Sequence, residues 1–198
     1  MKARYWLWES LKLTALTLSL YVIFGMSMMW MSDGINTAKS LIGWYESMIA
    51  AMSSMIVYQR QASFVISIGA TRKQTLRGMG FMRGINLIAL MVLSGFIAYS
   101  RLTFEYPLWI ALLMKAGLVL CGMGFGTIMG AICDDGGVAY AFALIVLSAL
   151  MGILSTVLLF ILALAPVVIA WTVFGAGIMA YAAGGIVEAN VIQTHVVR

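Results

Sequence analysis

Apolar residues fall into six long runs, at 12–31, 41–58, 84–101, 108–132, 138–161 and 166–187, separated by shorter polar breaks. Each run has about the length a helix needs to cross hydrocarbon, roughly 20 residues. A peptide group in hydrocarbon has no water to bond, so the segment must satisfy its own backbone, and the helix is the form that does so within one strand of chain. The short alternating segments of a membrane β-barrel are missing. The pattern therefore predicts an all-α, polytopic membrane protein with six transmembrane helices, forming a single transmembrane domain over residues 1–198.

Composition sharpens this picture. The chain is 63% hydrophobic and 10% charged, with a mean hydropathy of +1.03, values that argue against a soluble domain. The first run, "KLTALTLSLYVIFGMSMMWM", follows a basic start without a small-residue cleavage site and is expected to stay as the first helix. With the N-terminus inside, the inner segments collect Lys2, Arg4, Lys12, Arg60, Arg72, Lys73, Arg77, Arg83 and Arg198, and the outer loops hold Lys39 and Arg101. The bias of Lys and Arg toward the cytoplasm sets orientation, so both termini are expected to be cytoplasmic. The net charge of +5 fits attraction to anionic lipid rather than to nucleic acid.

Only one break is long. It runs from Gln59 to Arg83 and contains "SIGATRKQTLRG", which places Arg72, Lys73 and Arg77 within six positions. Thr71 and Gln74 have the spacing of a capping box, in which two side chains satisfy backbone N–H groups at a helix start. Leu76, Met79 and Met82 then recur at helical spacing. Gly69 permits a turn or a close approach that a side chain would block. The segment reads as a short helical hairpin or bent helix, and its exposed apolar residues rimmed by charge suit a contact surface. Topology alone would also account for the three cations. At the N-terminus, "MKARYWLWESLK" mixes aromatic and basic residues, as in a helix lying in the headgroup layer or an aromatic belt at a helix end.

The run "SFVISIGATRKQ" resembles the cytoplasmic segment of ABC-transporter permeases, where an apolar stretch followed by Gly-Ala-Thr/Ser-Arg-Lys/Arg lies between two spans. The six-helix layout is similar to the small ABC exporter permeases. The resemblance implies that Phe64, Ser67, Ile68, Gly69, Ala70, Thr71, Arg72 and Lys73 lie in or beside the coupling helix, within a cytoplasmic coupling loop at 59–83, and that residues 1–11 form an amphipathic elbow helix. It further implies a permease subunit of an exporter in a bacterial plasma membrane, paired as a homodimer or heterodimer and driven by two copies of a separate ATPase that bind ATP and Mg. The cargo would be a hydrophobic or amphipathic compound or a peptide. No Walker A sequence occurs in this chain.

Other candidates stand outside that resemblance. Lys115 lies within the fourth run, where an ionisable group costs about 2.5–3.5 kcal/mol unless it meets protein, water or the interface. It is expected either to line a translocation path, to snorkel outward, or to pair with Glu46 or Glu105. Gly122, Gly126 and Gly130 form two overlapping GxxxG steps, and Ala176, Ala180 and Gly184 form a similar ridge; such faces let helices approach closely, within one subunit or between two. Neither Cys121 and Cys133 nor the sixteen Met residues have the ligand companions of a metal site. No Ser/His pair or H-E-x-x-H occurs, so catalysis in this chain is not expected. A self-contained secondary transporter or channel is the alternative function.

Overall fold

A computed structural model describes residues 3–31, 46–57, 70–99, 107–132 and 165–194, with the single positions 146 and 153. Among these residues the chain is all helical. The helices are α1 (Ala3–Met31), α2 (Glu46–Val57), α3 (Arg72–Tyr99), α4 (Leu108–Ile132) and α5 (Pro166–Thr194). Three of them, α3, α4 and α5, are long and apolar enough to cross a membrane. The run at 138–161 lies outside the described residues, apart from Val146 and Ile153, which are helical.

Three helix starts have a local cause. The Thr71 N–H donates to Gln74 Oε1 at 3.2 Å, and the Gln74 N–H donates to Thr71 Oγ1 at 3.3 Å, so the capping box is formed as its spacing predicts. The first helical bond follows, from the Thr75 N–H to the Thr71 carbonyl at 2.9 Å. The carbonyl of Pro107 accepts from Ile110 at 2.9 Å to open α4. Pro166 occupies the first position of α5, where its missing N–H is no loss and its fixed φ suits the helix.

Two segments expected to stand apart are continuous with spans. Residues 72–83 are the first three turns of α3, not a separate hairpin, because nothing after the cap stops the helix before Tyr99. Gly78 lowers helix propensity by about 1 kcal/mol, but it admits the indole of Trp6, whose ring atoms a Cβ at Gly78 would strike. Residues 3–11 likewise run without a break into the rest of α1. Trp6 and Leu13 are buried against Met79 and Met82, which holds this stretch on the bundle instead of apart as an elbow.

Contacts fix the relative directions of the helices. Trp6 meets Gly78 near both helix starts, while Tyr21 lies further along with Leu90, so α1 and α3 run parallel. A Cβ at Gly177 would lie 3.0 Å from the Gly117 Cα, and one at Gly184 would lie 2.8 Å from the Gly124 carbonyl oxygen. The pairings 117 with 177 and 124 with 184 rise together, so α4 and α5 are also parallel. Ser47 opposite Gly122 and Ala51 opposite Gly126 make α2 parallel to α4. Arg83 joins Glu188 and Thr127, while Arg72 joins Gln193, which sets α3 against both α4 and α5. The starts of α1 and α3 therefore share one end of the bundle with the end of α5. The opposite end carries the starts of α2, α4 and α5.

The surface is inverted relative to a water-soluble bundle. Val92, Phe96, Trp171 and Met179 are exposed, while Glu46, Ser53, Asn86, Lys115, Thr127 and Glu188 are buried. An apolar exterior around a polar interior suits a hydrocarbon surround.

Of the small-residue ridges, Gly122 and Gly126 seat the carbonyls of Ser47 and Ala51, and Ala180 and Gly184 seat against Gly124. Gly130 is buried, and Ala176 is exposed. The working ridge of α5 is Gly177, Ala180 and Gly184, which keeps Ala180 and Gly184 of the expected ridge and has Gly177 in place of Ala176, and its partners Gly117 and Gly124 recur at a spacing of seven. Gly177→Val should lower the unfolding temperature in detergent, because overpacking against backbone costs about 1–3 kcal/mol or more. Gly175→Ala, where a Cβ meets nothing within 4 Å, should hold it or raise it, since alanine is the better helix former.

Candidate functional site

Within a bundle of this kind the most costly residues are the buried charges, and they gather at two points. Toward the end that holds the starts of α2 and α4, Lys115 Nζ donates to Glu46 Oε1 and forms an ion pair with it. The same oxygen accepts from the Tyr21 hydroxyl at 2.7 Å. The side chains of Lys115 and Glu46 are 4% and 0% exposed, so Lys115 does not snorkel. One cluster thereby ties α1, α2 and α4 together.

Toward the other end, Arg83 Nη2 lies 2.6 Å from Glu188 Oε2. Arg83 Nη1 donates to Thr127 Oγ1 at 3.1 Å, and Thr127 donates on to the Met123 carbonyl at 2.8 Å. The guanidinium stands 5.5 Å from the centre of the Tyr181 ring, within cation–π range. This second cluster ties α3, α4 and α5. One turn along α3, Asn86 Nδ2 donates to Ser53 Oγ at 2.7 Å, and Ser53 donates to the Ala50 carbonyl at 2.9 Å.

Helix α4 belongs to both clusters. Lys115 and Thr127 are twelve residues apart on it, about 18 Å by helix rise. Pairing reduces the price of burial without cancelling it, since desolvating two ions costs several kcal/mol each. Removing one partner is worse, because the other charge is then stranded.

The expected docking residues fall differently. Phe64, Ser67, Ile68 and Gly69 lie outside the described residues. Ala70 is half-buried against the apolar cluster that contains Trp6. Thr71 is the cap, and Arg72, Lys73 and Arg77 are exposed. Cations at a helix start oppose the helix dipole, each by roughly 0.3–1 kcal/mol, and α3 has no acidic residue in its first turn. Arg72 has a structural answer: its guanidinium donates to the Gln193 carbonyl, an acceptor in the last turn of α5 that has no partner further along the helix. No contact of that kind accounts for Lys73 or Arg77 among the described residues.

The Arg83–Glu188 pair was hidden in the sequence because Arg83 precedes one apolar run and Glu188 follows another. The signal that could have found it is the helical register beyond the run ends: Met79, Met82, Arg83 and Asn86 share one buried face of α3, and Glu188 precedes the buried Ile192 by four residues. No group of three His, Cys, Asp or Glu suited to a metal occurs among the described residues. Comparison with protein-family models, with curated proteins and with solved structures finds no match to the chain.

Lys115→Met should destabilise the protein by about 3–5 kcal/mol, the usual effect of stranding a buried charge. Adding Glu46→Leu to it should recover most of that loss. Thermal unfolding of the four variants in a double-mutant cycle measures the coupling directly.

Proposed function

We propose that the protein is the membrane subunit of a transporter, crossing a plasma membrane six times with its basic end in the cytoplasm. Its particular form on this reading is the permease of an ABC exporter, paired with a like or related permease and driven by separate ATPase chains that hold ATP and Mg. Two features support the six crossings. Ile132 and Pro166 stand at opposite ends of the parallel α4 and α5, and the apolar run at 138–161 in the sequence between them has the length of a crossing. The shared end of the bundle also carries Arg4, Arg72, Lys73 and Arg77, the side that the positive-inside rule assigns to the cytoplasm.

The observation that carries the permease reading is the construction of α3. The segment resembling the coupling region leads into a capped helix that runs unbroken to Tyr99. That helix is fastened to α5 at Arg72 and Arg83. A partner that moved the segment before Thr71 would thus move α3 and α5 together, with Thr127 of α4 attached through Arg83. Such a lever converts a closure event on another chain into displacement of spans. Lys73 and Arg77 are left exposed at its tip, suited to acidic groups on the ATPase. The small number of polar residues in the apolar runs is the ground for a hydrophobic or amphipathic cargo, including a peptide.

The buried ion pairs favour a second reading, a self-contained carrier or channel, since ionisable groups within spans often mark ion paths. The two separate on one preparation. Tagged protein purified in mild detergent should carry an ABC ATPase with it, and Lys73→Glu with Arg77→Glu should lose that partner while inserting normally. A lone protein without ATPase activity, or retention of the ATPase by the double variant, would contradict the permease reading.

A further inference from the structure

Three helices, α2, α3 and α4, share one vertical order of residue types. Near one end lies a polar layer of Tyr21, Glu46, Ser94 and Lys115; toward the other lies a second, of Ser53, Asn86, Arg83 and Thr127, which Glu188 completes from α5. Between them the same helices place Ile49, Ala50, Leu90, Val119 and Met123, which form one buried apolar cluster with Tyr21 at its edge. On α3 the order reads Arg83, Asn86, Leu90, Ser94; on α4 it reads Thr127, Met123, Val119, Lys115. The spacing along each helix is three or four residues, so the layers stack along one interior face.

Both polar layers are incompletely bonded. Among the described residues, Glu46 Oε2 and Ser94 Oγ find no partner in the first layer, and Glu188 Oε1, Asn86 Oδ1, Arg83 Nε and Ser54 Oγ find none in the second. A buried polar atom left unpaired costs about 1–3 kcal/mol, and such atoms in folded proteins are ordinarily met by ordered water. Three of the six, the two carboxylate oxygens and Asn86 Oδ1, can only accept. Their complement is a small hydrogen-bond donor. No such orphan belongs to the middle layer.

We infer that the interior of the subunit holds two water-binding layers separated by a dry apolar gate of Leu90, Val119 and Met123. An apolar constriction between hydrated regions blocks passage by excluding water, without any plug of charge. The layering stands on its own and holds whether or not an ATPase docks at the far end. The gate spans the stretch from Asn86 to Ser94 on α3, roughly two helical turns.

Buried methionines report on this arrangement. Met82, which adjoins Arg83, and Met55, which adjoins Ser54, are 1% and 0% exposed, and Met123 in the gate is 0% exposed. Radiolytic hydroxyl labelling of the full chain in lipid nanodiscs, read by mass spectrometry, oxidises a buried methionine where water is bound beside it. Met82 and Met55 should be labelled about fivefold or more faster than Met123. Leu90→Ser should then raise Met123 labelling to the level of Met82. Ser54→Ala, a mild change that removes one of the unpaired hydroxyls, should lower labelling of Met55 in a folded protein. Equal labelling of all three methionines would overturn the hydrated layers. Labelling of Met123 in the unaltered chain, or its persistence at the dry level in Leu90→Ser, would overturn the gate.

Discussion

An ionised side chain inside a low-dielectric bundle must meet its opposite, and this constraint organises the molecule. Lys115 can be buried on α4 because Glu46 begins α2 beside it, and Arg83 can be buried on α3 because α5 extends far enough to present Glu188. Each pair is an attachment between helices that apolar contact alone would leave free to slide. Attraction between apolar side chains does not distinguish one register from the next in hydrocarbon, since lipid tails are equally apolar. A charge pair does distinguish them, because a slip of one turn would strand both partners.

The glycines make those attachments geometrically possible. On α4, Gly117 and Gly124 face α5, while Gly122 and Gly126 face α2. Removing side chains from two faces lets one helix lie against two neighbours at backbone distance. The short side chain of Thr127 then meets an arginine from a third helix. Close approach and charge pairing thus depend on one another, and α4 is the element where both converge.

Much of this order was legible in the sequence where a local rule had no competitor. The boundaries of α4 fall at Leu108 and Ile132 as the apolar run predicts, Pro166 starts its helix, and Thr71 with Gln74 caps α3. Glu46 was one of two foreseeable partners for Lys115. What hydropathy could not reveal is a helix that continues past its apolar run. The polar stretch from Glu188 to Thr194 reads as a tail, yet Ile192 is buried and Glu188 is paired, so packing extends α5 where composition would end it. The same effect joins residues 72–83 to α3 and the N-terminal aromatic residues to α1. On α5 the ridge holds Ala180 and Gly184 as expected, with Gly177 instead of Ala176 as its third member, because its run of small residues offers neighbouring choices and only the facing helix selects among them.

The coupled account of α3, α4 and α5 depends on their directions in the membrane, and site-directed thiol labelling tests those most directly. In a chain with Cys121 and Cys133 replaced by alanine, single cysteines at Lys73, Pro107 and Thr194 would be treated in intact cells with an impermeant reagent. The account predicts labelling at position 107 alone, with 73 and 194 reached only after the membrane is opened. Labelling of 73 together with 107 would place both ends of α3 and the start of α4 on one side, and would contradict it.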